Sequence, residues 1–255
     1  MRIVNYVNIM KEEFDMWTRE EVKTRGKAAL KRNYWNAVLV ALVLGICAGG
    51  SGGSAGNSAR NNGGNNIFES LSPEVIVAIM GTVIVLAIVG CLLKIFVFNP
   101  LSVSCQRFFV LNDSENATLN VLSYGFKNNY MNIVKVMFLR DLYVFLWTLL
   151  LIIPGIIKSY EYMLVPYMLA EDSSLSSSEI FGVSKDMMMG NKMDAFVLQL
   201  SFIGWVLLSL LTCGILLVFY VNPYIYGSMA AMYVNIRNSF APVDNNYDPY
   251  QTATV

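Results

Sequence analysis

Residues 75–93 read VIVAIMGTVIVLAIVGCLL, a run with no charged side chain. As an α-helix this run rises about 28 Å, close to the ~30 Å thickness of a bilayer's hydrocarbon core. Two more runs lack charge, residues 142–157 and 195–236. The core helix of a soluble domain seldom needs so many apolar residues in succession. Composition agrees. The chain is 55% hydrophobic and 14% charged, where a soluble domain carries about a quarter charged residues. Its mean hydropathy is +0.50. These features predict an all-α membrane protein.

The predicted helices follow from local signals. Thr18-Arg19-Glu20-Glu21 forms a capping box, opening an amphipathic interfacial helix that leads into a first span from Tyr34 to Gly49. Residues 49–66 are nearly all Gly, Ser and Asn and read as a flexible linker. Ser72 and Pro73 start a second span that Asn99-Pro100 interrupts. A third span covers residues 130–153. Pro154-Gly155 reads as a tight reversal into a segment broken by Pro166. Ser176 and Glu179 form a second capping box for a short helix ending at Gly190. Span five covers residues 193–212. Gly214 turns the chain into span six, which runs through Pro223 to Ile236.

The spans share openings. Asn33-Tyr34-Trp35-Asn36, Asn129-Tyr130-Met131-Asn132 and Asn191-Lys192-Met193-Asp194 each precede an apolar run. The partner helices match in Val97-Phe98-Asn99-Pro100, Met163-Leu164-Val165-Pro166 and Tyr220-Val221-Asn222-Pro223. The expected architecture is six transmembrane helices arranged as three helical hairpin repeats with cytoplasmic amphipathic helices. The hairpins cover about residues 18–111, 118–170 and 176–238, between an extension (1–17) and a disordered tail (239–255). Asn99, Pro100, Pro166, Asn222 and Pro223 are candidate helix-break positions.

Lys and Arg crowd the first thirty-two residues and the connections between hairpins. The positive-inside rule therefore places both termini in the cytoplasm, and the repeats run parallel. Charges also fall within the predicted spans. Arg140 and Asp141 lie in the third, Lys158 and Glu161 in the fourth, and Lys94 near the end of the second, where it is expected to snorkel. A charge at mid-bilayer costs roughly 2.5–3.5 kcal/mol, so it pairs or faces a wet cavity. Arg140, Asp141, Lys158 and Glu161 thus form a candidate intramembrane polar site, open to both a ligand-binding and a packing role.

The chain has no histidine and a formal net charge of zero. No nucleophile–base pair, phosphate loop or metal-ligand cluster is visible, so neither an enzyme nor a metal or other cofactor is expected. Nor does the charge balance favour nucleic acid. Cys47, Cys91, Cys105 and Cys213 make no CxxC pair and are expected as small hydrophobes in packed helices.

Residues 151–160, LIIPGIIKSY, with 163–170, MLVPYMLA, resemble an integral membrane family of Firmicutes called domain of unknown function nine-seven-five. So do Met16-Trp17-Thr18-Arg19, Phe138-Leu139-Arg140-Asp141-Leu142 and residues 200–205, LSFIGW. The resemblance runs from about Met16 to Arg237. It implies a bacterial cytoplasmic membrane and carries no established activity, ligand or catalytic residue. The expected role is non-enzymatic: an intramembrane groove that binds a lipid, an amphiphilic peptide or a partner helix of another membrane protein. The alternative is a small transporter or channel that uses the four charges.

Overall fold

In the computed structural model, residues 17–47 and 72–240 are described; the extension, the Gly/Ser/Asn-rich linker and the tail beyond Phe240 lie outside them. Among the described residues the secondary structure is helical, with no strand. Helix α1 (Arg19–Arg32) leads through Asn33 into α2 (Tyr34–Cys47). Helices α3 (Pro73–Leu93) and α4 (Asn99–Ser114) join through one π-turn, Lys94–Phe98. Helices α5 (Tyr130–Leu150), α6 (Ile152–Glu161) and α7 (Val165–Glu171) make the second hairpin. The third follows α8 (Ser177–Met187) and consists of α9 (Lys192–Leu200), α10 (Ile203–Leu211), a π-turn at Leu217–Val221 and α11 (Asn222–Phe240).

Among the described residues, two helices are long and apolar enough to cross a membrane: the continuous Glu74–Ser114 helix, 41 residues and about 61 Å long, and the Lys192–Leu211 stretch. Helix α5 is as long as α3 but carries Lys135, Arg140 and Asp141.

Burial is uneven along the molecule. One core cluster joins all three hairpin segments, from Trp17 to Ile236. Its centre is α4 against α11, where Phe108, Phe109, Met232 and Tyr233 are buried, with Val165 to Ala170 of α7 beside them. No residue in the apolar stretch of α3 is buried. Leu149, Leu150, Ile152, Ile153, Leu210 and Leu211 are likewise exposed. Burying an aliphatic side chain is worth about 1.5–3 kcal/mol, so such a surface stays uncovered in water only at high cost.

Several local expectations hold. Thr18 and Ser176 accept from the amides of Glu21 (3.2 Å) and Glu179 (3.4 Å). Gly190 and Gly214 take positive φ, +87° and +83°. Others need correction. The Glu21 carboxylate does not close the capping box; it accepts from Asn235 of α11 at 3.2 Å. The apolar face of α1 (Val22, Gly26, Ala29, Leu30) packs on α11, so it is covered by protein and does not lie open to an interface. The reversal in the second hairpin occurs at Leu151, in extended conformation. Pro154 and Gly155 lie in the first turns of α6 instead, with Gly155 pressed against Thr148 of α5. Cys91 and Cys213 are exposed, while only Cys47 and Cys105 are buried as expected. Ser239 belongs to the last turn of α11 and not to a tail.

Two of the three proline positions do not break their helices as predicted. Proline lacks the amide that would bond the carbonyl four residues earlier, and its ring crowds that carbonyl. Ahead of Pro100 and Pro223 the helix widens into a π-turn and continues. The two orphaned carbonyls find remote donors. The Tyr130 hydroxyl donates to Phe96 O at 2.7 Å and the Tyr34 hydroxyl to Phe219 O at 3.0 Å. At Pro166 the chain does break, at Tyr162–Leu164, and the Tyr162 carbonyl accepts from Arg140 Nε at 3.2 Å. The opening asparagines clamp loops. Asn33 Nδ2 donates to Ala117 O (2.7 Å), and Asn132 Nδ2 to Ser173 O and Leu175 O (2.8 and 2.9 Å).

Candidate functional site

A cavity of about 390 Å³ is lined by residues from all three predicted hairpin segments. The second hairpin supplies Met137, Arg140 and Asp141 from α5, and Met163, Pro166 and Tyr167. The first supplies Leu44, Lys94, Asn99 and Gln106; the third supplies Gln199, Tyr226 and Met229. The wall therefore mixes apolar side chains with convergent polar and charged groups, which can fix a ligand's orientation.

Arg140 and Asp141, neighbours in sequence, stay within reach of each other, with Arg140 Nη1 3.6 Å from Asp141 Oδ1. Each also has its own second partner: the Tyr162 carbonyl for Arg140, and Lys94 Nζ, 3.6 Å from Oδ2, for Asp141. Lys94 thus faces a carboxylate and does not simply snorkel. Its ammonium and the Arg140 guanidinium outnumber the one carboxylate in the cavity, which leaves a surplus positive charge.

Lys158 and Glu161 do not join this pair. The Glu161 carboxylate is buried and binds Lys158 Nζ at 2.5 Å through one oxygen and Lys192 Nζ at 2.6 Å through the other. Lys158 also sits over the rings of Trp147 and Tyr162, 5.6 and 5.8 Å from their centroids. This closed triad ties α6 to the start of α9. The four predicted charges therefore belong to two places, one lining a cavity and one fixing helices.

The most informative cavity atom is one the sequence reading placed only as a helix break. Asn99 is 6% exposed, and its Nδ2 has no hydrogen-bond partner among the described residues. Gln106 Oε1, two turns further along the same helical face, is also unpartnered among the described residues. A buried polar group left unmatched costs about 1–3 kcal/mol, which a ligand acceptor at Asn99 Nδ2 would recover. Asn99 stands beside Pro100, and the proline signal hid the amide from sequence reasoning. Gln199 and Tyr167 were missed because nothing local marks a polar residue as cavity-lining.

With this geometry in place, the comparisons narrow the family. Residues 117–239 match a family model described as "Protein of unknown function (DUF975)". That stretch of the chain is similar to this uncharacterised family. The DUF975 match takes in the second and third hairpins, including Arg140, Asp141 and the Glu161 triad. It begins past Asn99, so the first hairpin's share of the cavity lies outside it. No curated protein and no solved structure matches the chain.

Proposed function

We propose that this chain is a multi-pass protein of the cytoplasmic membrane with six spans, in three parallel hairpin repeats, and both termini inside. Its cavity is a non-catalytic site for the polar head of an anionic amphiphile, a lipid or an amphiphilic peptide. The unpartnered Asn99 Nδ2 facing the same cavity as Arg140 carries this reading. Together they offer a neutral donor and a cation to one anionic group, next to apolar surface for its chain.

The bonds at the span openings support the repeats. Tyr130 of the second hairpin reaches Phe96 of the first, and Tyr34 of the first reaches Phe219 of the third. Lys192, at the matching position of the third, reaches Glu161 of the second, the residue before Tyr162. The three openings thus bond in a closed cycle. Transport is the weaker reading, because Lys158 and Glu161 are taken up by Lys192 and do not extend a charged path from the cavity.

The test is native mass spectrometry of lipid co-purified with the protein. Arg140→Ala and Asn99→Ala are expected to weaken retention of anionic lipid roughly tenfold or more, the worth of a charge-assisted bond, while each variant still melts cooperatively. Unchanged retention in both variants would remove the cavity from consideration.

A further inference from the structure

Helix α1 carries Arg19, Lys23, Lys27 and Lys31 four residues apart, a row about 18 Å long on one helical face. The row borders an open groove of about 680 Å³ whose far wall is Ser201 and Tyr224. Among the described residues, Glu20 is the one carboxylate along it. The other cations of α1 are engaged by protein groups. Arg25 bonds Asp113 and Asn235, and Arg32 donates to Asn112 O at 2.5 Å. On the groove face, Arg19, Lys27 and Lys31 are exposed and make no ion pair with a described residue. Lys23 is half-buried, 4.7 Å from the Phe202 ring centroid and 3.5 Å from Ser201 O. Burial, and the charge of Arg19 beside it, lower its pKa.

Like charges spaced four apart weaken a helix, so the row does not serve α1 itself. Its position suggests what it serves. Ser201 and Phe202 form the break between α9 and α10, and the next residue, Ile203, begins the exposed apolar run of α10. The cations therefore flank the polar break that opens the exposed apolar run of α10.

We propose that this groove holds the phosphate headgroups of anionic glycerophospholipids. The site is separate from the cavity and rests on the same membrane reading. Basic residues at a membrane surface each add about 1 kcal/mol of attraction to anionic lipid, equivalent to about fivefold in affinity. The alkyl stems of Lys27 and Lys31 lie along the groove while the ammonium groups meet phosphate.

The experiment titrates the full chain in detergent with phosphatidylglycerol or phosphatidylcholine and counts bound lipids by native mass spectrometry. The expected result is tighter binding of phosphatidylglycerol, weakened about fivefold by Lys27→Gln and again by Lys31→Gln, and retained in Lys27→Arg. Arg140→Ala should leave this phosphatidylglycerol class in place. Losses confined to Arg140→Ala would overturn the groove and keep the cavity. Losses confined to the lysine variants would do the reverse. Equal binding of the two lipids, or capture of an acidic protein that lipid fails to displace, would also overturn the groove.

Discussion

Gly125→Val is expected to destabilise the protein severely and lower its melting temperature sharply. Gly125 lies in the helical turn Tyr124–Lys127, pressed on α4. A Cβ there would stand 2.2 Å from the Pro100 carbonyl oxygen and 2.8 Å from Ser104 Oγ. The first of these is backbone, so no side-chain rotation relieves it. The same contact holds a short relay in which the Gly125 amide donates to Ser104 Oγ at 2.8 Å and that hydroxyl donates to Pro100 O at 3.1 Å. Overpacking costs about 1–3 kcal/mol and each lost buried bond about 1 kcal/mol more. Their sum, around 4 kcal/mol, removes much of a typical domain's stability. Gly182→Ala, in α8 with open space around it, should melt at or slightly above the wild-type temperature, because alanine favours the helix. Melting in detergent with size-exclusion profiles checks both. A monodisperse Gly125→Val protein with the wild-type melting temperature would contradict this packing.

Glu161→Ala should be nearly as damaging, for an electrostatic reason. The carboxylate is the shared partner of two ammonium groups, and its side chain is only 8% exposed. Removing it leaves Lys158 and Lys192 close together with no counter-charge, and breaking a buried pair in this way costs about 3 kcal/mol. Glu161→Gln keeps the shape and loses the charge, so it should fall between. The combination Glu161→Leu, Lys158→Met and Lys192→Met should recover most of the loss, since removing all partners also removes the desolvation cost. If Glu161→Ala melts like wild type, the triad contributes nothing to stability.

What the sequence made legible was local. A cap depends on a side chain and an amide three residues away, so Thr18 and Ser176 could be read directly. The glycines at 190 and 214 were legible because few other residues tolerate positive φ. Contacts set by how helices cross were not. Lys192 meets Glu161 from another hairpin, and Tyr34 meets Phe219 across most of the chain. The local proline rule predicted breaks at Asn99-Pro100 and Asn222-Pro223. Two π-turns and two distant tyrosine hydroxyls offset the missing amides, and the helices continue. Pro154-Gly155 misled for a related reason. The pair suits a turn, but Gly155 is small because Thr148 packs against it, with the reversal already made at Leu151. For the candidate site, Arg140 and Asp141 were visible as charges in an apolar run. The unpartnered amide of Asn99 needed the fold.

Six membrane spans with the charged helical core inside are tested most directly by cysteine labelling. Two chains are compared, each with one cysteine, either the native exposed Cys213 at the turn of the third hairpin or Ser239→Cys at the end of α11. A membrane-impermeant maleimide added to intact expressing cells should label position 213, and should label position 239 only after the cells are opened. Labelling of position 239 in intact cells, or protection of position 213 from the outside, would contradict the arrangement.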